Sequence, residues 1–185
     1  MSRWEPDAKG RLQRAAMTLF LERGYADVTV ADITERAGLT KRSFYNHFAD
    51  KREVLFADAD AFLRALTEPL AALDPATEPL EAAIAALTQA GLTLAEYSQS
   101  AGARRDLIAS STELQERNLV KLASLTQALQ DGLIARGTPQ RAARFTAQAA
   151  MTVFNAAYDD WIDQPDSDFA ALMSRCLDEL RIAVK

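Results

Sequence analysis

The stretch VTVADITERAGLTKRSFYNHF, residues 28–48, decides how this chain folds. It contains two helix starts of the same design. In the first, Thr29 precedes the helix and Asp32 follows three residues later. The Thr29 hydroxyl can then accept from the N–H of Asp32, while the Asp32 carboxylate reaches back to the N–H of Thr29. Val28 before the cap and Ile33 after the first turn fit the apolar contact that fixes the angle at which the chain enters a helix. Gly38 supplies the left-handed residue that ends it. Leu39 and Thr40 repeat the device, with Thr40 as cap and Leu39 able to close on Phe44. Phe44 and Phe48 are four apart, so they share a face and should pack inward. Two helices of about eight residues joined by a Gly-Leu-Thr turn make a helix-turn-helix.

The flanks agree with this reading. Residues 9–23 place Leu12, Ala15, Ala16, Leu19 and Phe20 on one helical face, with Gly24 just past the end. After residue 48, Asp50-Lys51-Arg52-Glu53 opens a fourth helix, Asp50 standing three residues before Glu53. In a helix-turn-helix the second helix turns its N-terminal side chains toward base edges in the major groove. Here those are Thr40, Lys41, Arg42 and Ser43, with Tyr45, Asn46 and His47 further along. Arg and Lys donate to guanine O6 and N7. Thr29 and Thr40 stand at helix N-termini, where phosphate oxygens bind well, and Tyr45 and Lys51 are suited to donate to phosphate. The alternative for the same residues is a plain three-helix segment whose charges face water.

Further along the chain, sustained period-2 alternation is missing and apolar residues recur every three or four positions. The chain reads as all-α, with roughly nine helices, three of them within the first 50 residues. Pro69, Pro75 and Pro79 mark a break between two helices, and Gly102 another. Thr138-Pro139 reads as a cap followed by a first-turn proline, and Asp166 as the cap of a last helix over about 167–183. Trp4 stands ahead of the first helix, as an arm or as a residue packed on the head.

The chain has 185 residues, 49% hydrophobic and 25% charged, which excludes a disordered polar protein. No run of about 18 apolar residues is present to span a membrane, and the N-terminal stretch from Met1 lacks an apolar signal core, so a cytoplasmic location is expected. Cys176 is the only cysteine, which excludes an internal disulfide and a cysteine-based zinc cluster. On its apolar stripe it reads as an inert core thiol. His47 is the sole histidine, and the acidic group Asp159, Asp160, Asp163, Asp166 and Asp168 lacks calcium-loop spacing. No convergent acid/base pair, phosphate loop or metal set supports an enzyme, and no cofactor is expected. The formal net charge of −5 conceals a division: residues 1–52 hold ten Lys/Arg against seven acids, a net of +3, leaving −8 for residues 53–185. The expected domains are therefore a basic helix-turn-helix head, 1–52, and an acidic helical body, 53–185.

Ala16-Met17-Thr18-Leu19-Phe20, Gly24-Tyr25, Val28 to Ile33, Ala37-Gly38-Leu39, Ser43 to Phe48 and Asp50-Lys51 resemble the TetR/AcrR family of bacterial regulators over about residues 9–56. The resemblance implies a homodimeric transcription factor, usually a repressor, that binds double-stranded DNA and is released by a small-molecule effector. It implies that the third helix reads the major groove and that Tyr45 and Lys51 touch phosphate. Arg42 and Asn46 fall where the family varies and are the candidates for base choice. Arg104-Arg105-Asp106-Leu107-Ile108, Glu113 to Arg117 and the stretch from Lys121 to Trp161 resemble a C-terminal class with acyl-CoA-like ligand domains.

In the body, the last helix carries a stripe of Phe169, Leu172, Met173, Cys176, Leu177 and Leu180. The helix over about 139–163 is rich in small residues, Ala149 and Ala156 among them. Two such helices per subunit can form a four-helix dimer interface, as the family does with its last two helices. The alternative is that both stripes are intrachain core. An apolar ligand pocket would draw on Phe62, Leu66, Leu87, Leu94, Leu122, Leu125, Phe154, Tyr158 and Trp161, unless these too are core. Arg104 and Arg105 can receive an anionic head group or form a solvated helix end. The leading expectation is a DNA-binding repressor released by a largely apolar ligand. The competing one is a helical small-molecule or acyl-ligand binding protein without operator recognition.

Overall fold

The computed structural model describes residues 7–94 and 98–184, without the side chains of 98–100; Trp4 lies outside the described residues. Among the described residues there are nine α-helices, a short 3-10 helix and no strand. They form two compact units. The first is residues 1–58 with 103–119. The second is 59–102 with 120–185.

The first unit starts with α1 (Ala8–Arg23), whose Leu12, Ala15, Ala16, Leu19 and Phe20 are buried at the 3–4 spacing seen in the sequence. Gly24, at φ 83°, ends it by donating its N–H to Phe20 O at 2.9 Å. Helix α2 (Val30–Ala37) opens with both capping-box bonds formed: Asp32 N to Thr29 Oγ1 at 3.2 Å and Thr29 N to Asp32 Oδ2 at 2.8 Å. Val28 and Ile33 are both buried beside it. Gly38 stands at φ 64°, and the N–H of Leu39 returns to Thr34 O at 2.8 Å, which closes the end of α2. Helix α3 (Lys41–Tyr45) is capped by Thr40, which accepts from Ser43 N at 3.1 Å.

Helix α3 is shorter than the eight residues expected; regular geometry stops at Tyr45, although Phe48 N still reaches Phe44 O at 2.9 Å. The expected fourth helix is instead a 3-10 helix, Arg52–Phe56. Asp50 caps it as anticipated, Oδ1 accepting from Arg52 N at 2.8 Å and Glu53 N at 3.2 Å. The same core takes in Leu107, Ile108 and Leu114 from α6 (Ser98–Ala109) and from the start of α7 (Thr112–Ala135). The expected boundary at residue 52 followed charge. The structural division follows apolar packing, which reaches Phe56 and then recruits a second stretch of chain.

The second unit packs α4 (Ala59–Ala72) on α5 (Pro79–Leu92), α5 on α8 (Gln140–Asp163), and α8 on α9 (Phe169–Ala183), with residues 120–135 of α7. Buried Ala82, Ala83, Ala86 and Ala90 of α5 and Ala143, Ala147, Ala150 and Ala157 of α8 let the helix backbones approach closely. At Gly91 a Cβ would lie 2.1 Å from the Phe169 ring, so the aromatic occupies the space a side chain would need. Arg136 ties off α4 by donating to Leu70 O, Leu73 O and Asp74 O at 2.7–2.9 Å. Several punctuation marks fall differently from expectation. Pro69 lies inside α4, and Gly102 lies inside α6 rather than at a break. Pro139, not Thr138, occupies the cap position of α8, and the Thr138 N–H closes the end of α7 on Leu133 O at 3.0 Å. Asp168, not Asp166, caps α9 through Ala170 N at 2.9 Å.

Two outcomes follow from this packing. Gly38→Ala forces an L side chain into the left-handed region and brings its Cβ within 3.0 Å of Arg11 Nη2. Urea unfolding should show a loss of about 1–2 kcal/mol. Burial pushes the Cys176 thiol up, so an aromatic disulfide reagent should label it only as the unit unfolds.

Candidate nucleic-acid interface

Helices α2 and α3 are both too short to persist alone; caps and packing hold them. Phe44 is fully buried and meets Phe48 with ring centroids 5.3 Å apart, anchoring α3 from beneath. The opposite side of α3 is open. Thr40, Lys41, Arg42, Tyr45, Asn46 and His47 are exposed, Tyr45 to 57%, with its ring edge-on to Phe44 at 5.4 Å. Ser43 is half-buried and its hydroxyl lies 3.0 Å from Thr40 Oγ1, so it belongs to the cap. Thr29 is exposed at the start of α2, where its hydroxyl also contacts Asp32. That hydroxyl, then the Thr29 N–H, hold the Asp32 carboxyl below its usual range. The structure thus brings eight of the nine residues expected to meet DNA onto or beside the two capped helices.

Lys51 is the exception, because its ammonium is turned into the unit. It donates to Tyr25 O at 2.7 Å and to Val28 O at 2.8 Å, and lies 4.0 Å from the centre of the Tyr25 ring. An ammonium has three donors, so at most one is left for another partner. Burial pulls Lys51 down from its ordinary value, with the Glu113 and Asp27 carboxylates acting against that pull. Its neighbours are also engaged. Arg52 reaches Asp50 Oδ2 at 2.6 Å and Glu113 at 3.4 Å, and Arg117 Nε donates to the Glu53 carboxylate. The Arg52 guanidinium holds the Asp50 carboxyl below its usual range. Sequence reasoning missed these partners, since Glu113 and Arg117 are about sixty residues away and no local pattern marks them.

The residues expected to hold a ligand divide between the units. Phe62, Leu66, Leu87, Phe154 and Trp161 are buried in the core of the second unit, with Leu94, Leu122, Leu125 and Tyr158 packed against them. Phe154 is the hub, its ring centroid 5.5 Å from Phe62, 5.8 Å from Phe169 and 6.1 Å from Tyr158. An opening in this unit lies elsewhere, between α7 and α8. It is a groove of about 460 Å³ lined mainly by Thr126, Gln127, Gln130, Arg144, Gln148 and Asn155. Arg104 and Arg105 belong to the first unit. Arg104 Nε donates to Leu55 O at 3.0 Å and its guanidinium lies 5.2 Å from the Phe56 ring centre; Arg105 lies 3.7 Å from Asp106.

The residues expected at the dimer face divide by burial. Phe169, Leu172, Met173 and Cys176 are buried within a single chain and fill its own core, Phe169 against Gly91 and Phe154. Periodicity had marked a buried stripe without identifying what buries it. Ala156 is exposed, and Ala149 and Leu180 are half-buried. In the acidic group, Asp160 pairs with Arg175 and Asp168 caps α9. No cluster of potential metal ligands exists among the described residues, and no described helix is long and apolar enough to cross a membrane.

Residues 12–57 match the family described as bacterial regulatory proteins, tetR family, and residues 77–185 match the MftR C-terminal domain. The chain belongs to the TetR family. Over 78 residues it is 37% identical to the HTH-type transcriptional repressor KstR2 of Mycobacterium tuberculosis, a stretch covering 40% of this chain and 37% of that protein. It shares its fold with FadR from Bacillus subtilis, solved in complex with stearoyl-CoA (TM-score 0.65, 18% identity, 92% of this chain and 96% of that one). It shares it also with SmeT of Stenotrophomonas maltophilia, solved with triclosan (TM-score 0.64, 19% identity, 95% and 90%). TetR-family members are helix-turn-helix transcriptional regulators, and this chain has both parts of that architecture.

The Asp50–Arg52 pair sets a pH dependence. The folded state holds the Asp50 carboxyl below the unfolded value of 3.8, so its contribution is complete above that pH and is lost as pH falls through the folded value. Asp50→Asn keeps a cap acceptor but removes the charge. In denaturant titrations it should be less stable than the parent at pH 7, with the difference shrinking as pH falls below 3.8.

Proposed function

We propose that this TetR-family chain is a one-component repressor that binds a pseudo-palindromic operator as a homodimer and lets go of it when a small, largely apolar effector binds in its body. The observation that carries the reading is the exposed row Thr40, Lys41, Arg42, Tyr45, Asn46 and His47 on a capped helix anchored by Phe44. Arg42 and Asn46 are assigned to base edges, and Thr29, Tyr45 and His47 to phosphate. The setting is the cytoplasm, and the reading requires no catalytic step.

The effector site is assigned to the aromatic cluster of Phe62, Phe154, Tyr158 and Trp161, with Leu66, Leu87, Leu94, Leu122 and Leu125 around it. Apolar walls with few polar groups suit such a ligand. The fold-mates solved with stearoyl-CoA and with triclosan support an apolar ligand class. Arg104 is omitted from this site because its guanidinium is committed to Leu55 and Phe56. The dimer face is assigned to what α8 and α9 leave uncovered: Phe145 (59% exposed), Ala149, Ala156, Leu180 and Ile182. Two recognition helices held by such a face read half-sites about one helical turn apart. An effector that disfavours that spacing weakens DNA binding, and DNA weakens effector binding by the same factor.

The test is a gel shift with the DNA upstream of the chain's own gene. A shift that weakens steeply as salt rises is expected, and Arg42→Ala/Tyr45→Ala should lose about 10²-fold in affinity, at roughly 1–3 kcal/mol per contact. Full affinity in that variant overturns the assigned reading surface. No shift by a folded dimer that still takes up acyl ligands leaves the chain as a ligand-binding protein without operator recognition.

A further inference from the structure

The corner made by the end of α6 and the start of α7 belongs to the same unit as the helix-turn-helix. Leu107, Ile108 and Leu114 share a core with Phe20, Tyr25 and Phe44. Three of its charged side chains address one short segment, residues 50–56. Arg104 holds Leu55 O and covers Phe56, Glu113 faces Arg52, and Arg117 donates to Glu53, whose side chain is only 17% exposed. That segment follows α3 directly. Between Asp50 and Arg52 stands Lys51, gripping the carbonyls of Tyr25 and Val28. Val28 is the residue before Thr29, the cap of α2. Side-chain bonds therefore tie residues 51–55 to the corner on one side and to the carbonyls of Tyr25 and Val28, just ahead of the α2 cap, on the other. The segment is held on one side by the loop at 25–28 and on the other by the corner.

We propose that Glu113 and Arg117 are positioning residues for DNA recognition: they hold residues 50–56, and through Lys51 the start of α2, in the register that lets α2 and α3 face DNA together. Neither touches DNA in this scheme. The inference rests on the operator-binding reading above. It also makes a prediction opposite to simple electrostatics. Removing the Glu113 carboxylate makes the protein less negative, which by field alone tightens binding to a polyanion. A positioning role requires binding to weaken.

The experiment measures fluorescence anisotropy of the full-length protein on a labelled palindromic duplex selected with the parent. The variants are Glu113→Gln, Arg117→Gln and the charge-exchanged Glu53→Arg/Arg117→Glu. Each single variant should lose about tenfold in affinity, within the range that mutations distant from a ligand contribute. The helical circular dichroism and the slope of log K against log salt should be unchanged, because no phosphate contact is removed. The exchanged pair should return to within about threefold of the parent, as a restored ion pair does in a double-mutant cycle. Parent-like or tighter binding by Glu113→Gln overturns the proposal. So does a shallower salt slope in Arg117→Gln, which would make Arg117 a phosphate contact. If Arg117→Gln fails to fold, Glu113→Gln decides the matter, since Glu113 is 52% exposed and glutamine keeps its length. A parent that selects no duplex overturns the operator-binding reading itself, a result distinct from any variant effect.

Discussion

A helix of eight residues followed by one of five leaves most of its backbone donors and acceptors without partners inside either helix. Everything the first unit does depends on meeting those groups from outside. Thr29 and Thr40 meet the leading N–H groups, and the left-handed turn at Gly38 meets the trailing carbonyls of α2. Phe44 and Ile33 then supply burial worth about 1.5–3 kcal/mol each. Because the ends are satisfied locally, Lys41, Arg42 and Tyr45 stay exposed on α3 while Phe44 is buried beneath them.

The parts of this arrangement set by neighbours in sequence were legible in advance. A Thr three residues before an Asp, a Gly at the helix end and a Phe four residues before another each impose their geometry within one or two turns. What could not be read was anything decided across the chain. Lys51 has the right character for phosphate, but its ammonium serves carbonyls 23 and 26 residues earlier. The stripe through Phe169, Leu172, Met173 and Cys176 was correctly seen as buried, yet periodicity is the same whether the covering surface is the same chain or another. Asp166 and Asp168 were equally good caps by type, and the position of Phe169 in the core chose between them.

Charge illustrates the same difference. Cut at residue 52, the head carries +3. The structural unit, extended to residue 58 and joined by 103–119, counts thirteen Lys/Arg against twelve acids, a net of +1, leaving −6 for the other unit. The unit as a whole is nearly neutral, and many of its acids are tied to arginines: Asp7 to Arg14, Glu22 to Arg36, Asp50 to Arg52 and Glu53 to Arg117. The positive character that suits a polyanion is local to Lys41 and Arg42, both exposed on α3.

The first unit is discontinuous: its core is completed by three side chains that the ribosome delivers about fifty residues after Phe56. Such a head is not a portable cassette. A recombination event, or an engineer, that joins residues 1–58 to a foreign body also discards Leu107, Ile108 and Leu114, and the graft must find substitutes of the same shape. Productive crossovers in this chain therefore have to carry residues 103–119 with the N-terminal segment. Substitution at Arg42 or Asn46 carries no such requirement, since those side chains are exposed and stand outside that core.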